Sequence, residues 1–281
     1  MKLILSLFVF LTLSLLGYAF FIEPKWIKEN RFSINIAKNS TSSQTLNILH
    51  ISDIHFSKKS SIKYIRKSFE NAVKNKPDLI LITGDFITEH LIDKQNYIDA
   101  LSILSSSAPV FAVGGNHDGG IWASNLGGYS TIDSVSNLLE SSNIKLLQNG
   151  ISALEVHGLQ ILIGGVGDTW AGYFQPNQIL DSMNNHTANY KILLSHNPDT
   201  KEILKGMKWD LLLCGHTHGG QIRLPVIGTP FAPVRDKSIV KGLFEYNGRS
   251  IHISAGIGNF KGIRFNCRPE YSIISVILPS T

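Results

Sequence analysis

At 281 residues, with 43% hydrophobic and 17% charged side chains, the chain can bury a sizeable core and is too apolar to be disordered. Its net charge of +5 comes without runs of Lys or Arg, which argues against a nucleic-acid-binding stripe and suits anionic substrates or an anionic membrane surface. Two cysteines, Cys214 and Cys267, are too few for a disulfide framework or a zinc knuckle, and Cys214 closes an apolar run as a core thiol would.

Residues 3–22 (LILSLFVFLTLSLLGYAFFI) carry no charge and supply about the 20 residues needed to cross a bilayer core. Tyr18, Phe20, Phe21 and Trp26 gather at the far end, like an interfacial aromatic belt. Residues 1–22 are therefore expected to be an uncleaved single-pass anchor, and a bacterial inner membrane is the expected location. The competing reading is a cleaved signal peptide, with Lys2 as a thin n-region and Gly17-Tyr18-Ala19 as the cleavage site. The anchor is favoured because the apolar run continues past Ala19. Lys25, Lys28, Arg31 and Lys38 outweigh Lys2 and would hold the remainder of the chain in the cytoplasm. The signal-like start argues the reverse, so the side stays open.

Residues 23–45 are expected as a linker, with 38–46 (KNSTSSQTL) a polar tether, and residues 46–281 as one domain. Leu46 to Ser52 reads as a short strand ending in Asp53-Ile54-His55. Ser60 to Asn75 has the helical spacing of Ile62, Ile65, Phe69 and Val73, broken at Pro77. The run DLILIT from Asp78 to Thr83 suits a strand covered on both faces, and Gly84-Asp85 closes it. A helix over Gln95 to Ser105 and a strand over Val110 to Val113 follow, running into Gly115-Asn116-His117-Asp118. Residues 119–130 read as a Gly-rich loop, then a helix from Thr131 to Ser142 and two or three strands between Lys145 and Val166. Strands Lys191 to Ser195 and Asp210 to Cys214 end in Ser195-His196-Asn197 and Gly215-His216-Thr217-His218. The C-terminal third, with short β runs to Ile277, reads as the second sheet of a sandwich. This alternation implies α/β layering with polar clusters presented beyond the carboxyl ends of strands.

Those five clusters contain two Asp, one Asn and four His of metal-ligand type, with His117 as a further imidazole. Oxygen and imidazole donors without thiolate suit Mn, Fe or Zn. Seven ligands are too many for one tetrahedral ion and about right for two ions sharing a carboxylate. In D-x-H, residues i and i+2 project to one side, so both can reach one ion. Two divalent ions lower the pKa of a shared water and neutralise phosphoryl oxygens during in-line displacement. Two carboxylates against two such ions leave a net positive, phosphate-attracting site. The chain reads as a binuclear metallohydrolase.

The order D-x-H, G-D, G-N-H-D, a lone His, then G-H-x-H resembles the calcineurin-like metallophosphoesterase superfamily. Gly167-Asp168-Thr169-Trp170-Ala171-Gly172, Ser195-His196-Asn197-Pro198-Asp199, Cys214 through Gln221 and Arg264-Phe265-Asn266-Cys267-Arg268-Pro269-Glu270 are similar to the YaeI/YkuE-type bacterial phosphodiesterases. The resemblance, covering residues 46 to 278, implies a four-layer αββα sandwich, here preceded by one N-terminal transmembrane helix. It further implies that Asp53, His55, Asp85 and His218 bind one divalent ion, and that Asp85 bridges to a second held with Asn116, His196 and His216. His117 would act on the leaving-group oxygen as a catalytic residue, with Asp118 orienting its ring. The implied activity is phosphodiester or pyrophosphate hydrolysis on a phosphoester substrate. A lipid-linked substrate is a live alternative, because some relatives split UDP-2,3-diacylglucosamine in lipid A synthesis. A nuclease is disfavoured by the lack of a basic stripe or aromatic platform, and a non-catalytic scaffold by the intact ligand positions. Oligomeric state stays open.

Asp168 and Trp170 are candidates to line the cleft, with an Asx turn and a core anchor as the plainer readings. Arg264, Asn266 and Arg268 could meet a phosphate or brace a hairpin. His50, His90, His157, His186 and His252 fit no ligand pattern and read as surface or satisfied core histidines.

Overall fold

The computed structural model describes residues 1–38, 40, 42–58, 60–259 and 262–280. A helix α1 (Lys2–Gly17) runs through one π turn (Tyr18–Ile22) and one 3-10 turn (Glu23–Lys25) into the strand β1 (Lys28–Asn35). The domain then alternates β2 (Ser43–Ile51), α2 (Ile62–Val73), β3 (Leu79–Thr83), α3 (Lys94–Ser105), β4 (Val110–Val113), α4 (Ile121–Asn125), α5 (Asp133–Ser141) and β5 (Lys145–Leu146). Next come β6 (Gly150–Val156), β7 (Leu159–Gly165), α6 (Asn177–Asn185), β8 (Tyr190–Leu194), β9 (Leu211–Cys214), β10 (Gly242–Tyr246), β11 (Arg249–Ile253) and β12 (Glu270–Pro279).

Two six-stranded sheets face each other, ordered β1-β12-β2-β3-β4-β5 and β10-β11-β9-β8-β7-β6. Strands β2 through β5 are mutually parallel, as are β7, β8, β9 and β11, and α2, α3, α5 and α6 make crossovers between parallel neighbours. Period-2 alternation sorts the apolar rows. Leu79 and Leu81 of β3 join Ile48, Ile192, Leu213 and Ile274 between the sheets, while Ile80 and Ile82 face the helices. Ile65, Phe69 and Ala72 of α2, with Leu101 and Leu104 of α3, cover that outer face at helical spacing. Ser61 caps α2, its hydroxyl accepting from the Tyr64 N–H at 3.4 Å. On the other sheet Leu162, Leu193 and Leu212 pack under Met183 and Trp209. The result is a four-layer αββα sandwich.

Three expectations need correction. Residues 28–35 of the expected linker are a strand paired in parallel with β12, while residues 39 and 41 of the tether lie outside the described residues. A polar, mostly exposed edge strand with one buried side chain, Ile34, carries too weak an alternation to be seen in K-E-N-R-F-S-I-N. The C-terminal third does not form one sheet. Its β10 and β11 join the second sheet, whereas β12 inserts between β1 and β2 of the first, antiparallel to β2. Burial on both faces marks β12 as central, but partner choice lies in long-range pairing, which its own pattern does not encode. The Gly-rich stretch 119–130 contains the short helix α4.

Among the described residues one helix, Lys2–Lys25, is long and apolar enough to cross a membrane; its 24 residues would span about 36 Å. Its side chains are exposed through Leu16, while Ala19, Glu23 and Pro24 are buried against the domain.

Candidate metal centre

The chain reverses direction sharply after each strand that carries a metal-type residue. Asp53 and His55 follow β2, Asp85 follows β3, Asn116 to Asp118 follow β4, His196 follows β8, and His216 and His218 follow β9. Asp53, His55, Asp85, His216 and His218 all have left-handed backbone, with φ of 50°, 48°, 55°, 68° and 49°. Such φ values are uncommon for non-glycine residues and mark sites where surrounding structure imposes the geometry. The glycines of the motifs let strands approach: a Cβ at Gly115 would collide with the Asp85 carboxylate, and one at Gly215 with Ser52.

These turns gather two buried groups whose donor atoms lie within 4.8 Å of one another, Asp53/His55/Asp85/His218 and Asp85/His196/His216. Asp85 Oδ2 stands 3.3 Å from both His55 Nε2 and His196 Nε2. Across the site, His55 Nε2 faces His218 Nε2 at 3.1 Å, His196 Nε2 faces His216 Nδ1 at 3.3 Å, and His218 Nε2 lies 3.5 Å from Asp53 Oδ1. Ring nitrogens pointing at ring nitrogens, with carboxylates between them, form a donor set suited to cations. Asn116 Oδ1 is buried without a hydrogen bond, and its neighbours Gly115 and His117 both abut Asp85. An unsatisfied buried carbonyl of this kind fits a metal ligand.

Electrostatics agrees. Burial pushes the Asp53 carboxyl up to about 7, helped by Asp85 and opposed by His196. Burial would also raise Asp85, but His196 and His117 outweigh it and hold Asp85 well below the carboxylate range. His196 would be lowered by burial and is instead held well above 6.5, chiefly by Asp85. Burial drives His216 down to about 3, with His196 reinforcing it. Protons thus compensate a site whose ligand geometry favours divalent cations.

The groups behind these residues were largely invisible in the sequence. His196 Nδ1 lies 2.7 Å from the Thr83 carbonyl, which fixes the proton there and turns Nε2 toward Asp85. The N–H of His216 donates to both Asp53 oxygens at 3.1 Å. His50 and His252 come from facing sheets, one on β2 and one on β11, and meet Nδ1 to Nδ1 at 2.8 Å. From there His50 Nε2 reaches Thr83 Oγ1 (2.9 Å), Thr83 reaches Ser52 Oγ (2.9 Å), and Ser52 donates to Asp53. The available signal was positional: His50 and Thr83 sit two residues beyond Ile48 and Leu81, in rows that otherwise face the apolar core.

The hydrogen bonds of Asp118 run to backbone: its two oxygens accept from the N–H groups of Asp85, Phe86, Ile87 and Gly115 at 2.7–3.2 Å. The His117 ring is steered by the Thr88 carbonyl, 2.8 Å from Nδ1. Four converging backbone donors suit a buried carboxylate.

Asp168 makes the Asx turn, its Oδ1 accepting from the Trp170 and Ala171 N–H groups at 2.7 and 2.9 Å. Trp170 stands edge-on to His216, with centroids 4.4 Å apart, and 4.5 Å from Trp122. It lines a cavity of about 560 Å³ with Asn197, Asp199, Pro233 and Arg235. Arg264 is fully buried, its guanidinium donating to the carbonyls of Ala255, Gly258 and Cys267. Arg268 donates to the carbonyls of Trp26 and Ile27 and lies 3.9 Å above the Trp26 ring. Both are structural.

The four-layer fold and the paired, buried Asp/His groups at its strand ends define a binuclear metal-dependent hydrolase. The chain belongs to the calcineurin-like phosphoesterase family, whose model matches residues 46–220. It is similar to phosphodiesterase YaeI of Escherichia coli (strain K12), 35% identical over 93% of this chain and 92% of that protein. It is 27% identical to the metallophosphoesterase YkuE of Bacillus subtilis, covering 92% of this chain and 89% of the relative. UDP-2,3-diacylglucosamine pyrophosphatase LpxG of Chlamydia muridarum is likewise 27% identical, with 90% of each chain covered. Among solved structures, NAD nucleotidase of Haemophilus influenzae shares the fold, with a TM-score of 0.50 at 16% identity over 77% of this chain and 46% of that one. The protein is a metal-dependent phosphoester hydrolase of the YaeI/YkuE type.

Proposed function

We propose that the protein hydrolyses a phosphodiester or pyrophosphate using two divalent ions. Asp53, His55, Asp85 and His218 would hold the first, and Asp85, Asn116, His196 and His216 the second. The observation that carries this is Asp85, whose carboxylate belongs to both buried groups. When bound, the two ions supply an activated water at neutral pH and neutralise phosphoryl oxygens. The chain's own part is to fix the ligands from behind through Thr83, Ser52 and Asp118. His117, held by Thr88, donates a proton to the departing oxygen. Metal identity rests with Mn, Fe or Zn on donor chemistry.

Asp85→Asn tests this reading. Metal per chain should fall from two ions to fewer than one, with at least a hundredfold loss of turnover on an aryl phosphodiester in added Mn. Two retained ions with undiminished turnover would overturn the assignment.

A membrane-linked substrate is the second reading, and a specific contact favours it. The end of the apolar helix is linked to the site through Cys267: Glu23 accepts from the Cys267 N–H, and Cys267 Sγ lies 3.4 Å from the carbonyls of His218 and Gly219. With α1 as a single-pass anchor, the metals would sit on the membrane-proximal face. The name of the LpxG relative points the same way. Turnover of UDP-2,3-diacylglucosamine beside the aryl diester separates the two, and activity on the aryl diester alone removes the lipid reading.

A further inference from the structure

Residues 222–231 form a loop whose apolar side chains are turned outward. Val226 is fully exposed, and Ile227 and Phe231 are each 69% exposed. The loop is not slack. Leu224 and Gly228 exchange both backbone hydrogen bonds at 2.8 Å, and the Ile227 N–H closes a three-residue turn on the Pro225 carbonyl at 2.8 Å. That turn places Val226 at φ 69°, a strained conformation for a β-branched residue, and its effect is to project an apolar tip.

The two limbs of this loop connect two places already described. One limb pairs with residues 264–266: the Arg223 N–H donates to Phe265 O (2.8 Å), and the Arg264 N–H donates to Ala19 O (3.0 Å) in the π turn that follows α1. The other limb descends through the buried Ala232 and Val234 and forms the cavity wall at Pro233 and Arg235, opposite Trp170. Exposed Arg223, Arg235 and Lys237 flank the apolar tip, and Lys25 stands exposed at the helix exit. An apolar point with exposed cations on both sequence flanks, tied to a membrane-length helix near its exit, matches an interfacial element on an anionic leaflet.

We propose that residues 222–231 are a wedge that enters the same leaflet as the exit of the N-terminal helix, in a bilayer containing anionic phospholipid. The cavity beside Trp170 then opens at the membrane surface, and amphiphilic phosphoesters reach the metals without leaving the bilayer. This deepens the membrane-linked reading and rests on the helix being an anchor.

Cysteine labelling of the full chain tests it, because Cys214 and Cys267 are both buried. An environment-sensitive NBD label is placed at Val226→Cys, at Phe231→Cys as a second position, and at Lys74→Cys as an exposed control following α2. The proteins are reconstituted in vesicles of phosphatidylethanolamine and phosphatidylglycerol. Labels at 226 and 231 should be quenched at least twofold by nitroxide on lipid acyl chains and shielded from aqueous iodide, with the reverse at 74. If the protein floats with vesicles but both loop labels remain iodide-accessible, the wedge is refuted and the anchor stands. Shielding from iodide without acyl-chain quenching would mean a protein partner covers the loop and also refutes it. Failure to float with vesicles overturns the anchor and the wedge together, while hydrolysis of the aryl diester still reports on the metal centre.

Discussion

At the residue scale, the tetrapeptide Gly115-Asn116-His117-Asp118 shows what a motif conveys and what it conceals. Its residue types announce a ligand and an acid, but Asp118 accepts from the backbone of residues 85–87 and Gly115, and the His117 ring meets the Thr88 carbonyl, contacts which no side-chain pattern displays. Two different outcomes should follow. His117→Gln should lower kcat by roughly 10²-fold or more on an alkyl phosphodiester and much less on an aryl one, whose leaving group needs little protonation. Metal content should not change. Asp118→Asn should instead cost metal and stability, because an amide presents N–H where four backbone donors converge; a shifted pH–rate profile with full metal content would contradict this. His252 supplies a pH prediction. Burial lowers it from 6.5 to about 4, so the unfolded chain takes up a proton that the folded protein refuses. Its contribution is complete above about pH 6.5 and is lost as pH falls toward about 4. Between pH 7.5 and 5 the wild type should lose roughly 2 kcal/mol more than His252→Leu in matched urea titrations, since titration of the metal-site residues is common to both. Equal losses would show that the buried imidazole pair is not refusing a proton.

At the scale of elements, strand ends rather than strands determine the site. Apolar runs such as Leu79–Thr83 and Val110–Val113 were legible because burial on both faces leaves a continuous hydrophobic signature. Edge strand β1 was not, since its solvent face erases alternation, and the sheet that β12 joins is decided by register with β1 and β2. The left-handed turns at Asp53, His55, Asp85, His216 and His218 were equally hidden, because these residue types do not announce φ. Their cost is met by close packing through glycine. Gly215→Ala would drive a methyl group into Ser52 and toward Asp53, displacing the first ligand from the D-x-H turn. Mn affinity should fall at least tenfold while far-UV circular dichroism stays native. Unchanged affinity would mean that the turn has room to relax.

At the scale of the whole molecule, the separation of core and site sets the response to metal removal. Three apolar clusters, one between the sheets and one under each helical layer, are built from Leu, Ile, Val and Phe rows that include none of the seven proposed ligands. Chelation should therefore leave the αββα sandwich folded. It should still weaken it, because Asp53, Asp85 and the converging imidazoles lose the charge that reconciles them. An ion at 100 times its Kd contributes about 2.7 kcal/mol per site, and about 1 kcal/mol moves Tm by roughly 2–4 °C for chains of this size. Removing both ions with EDTA should lower Tm by roughly 10–20 °C, with restoration on adding Mn and little restoration for Asp85→Asn. A bridging Asp85, as proposed, would make the two sites interdependent: a carboxylate shared by two cations cannot be lost from one without weakening the other. Titrating Mn into metal-free protein should accordingly raise Tm along a single curve saturating at two ions per chain. A curve that saturates at one ion per chain would show that Asp85 serves a single cation.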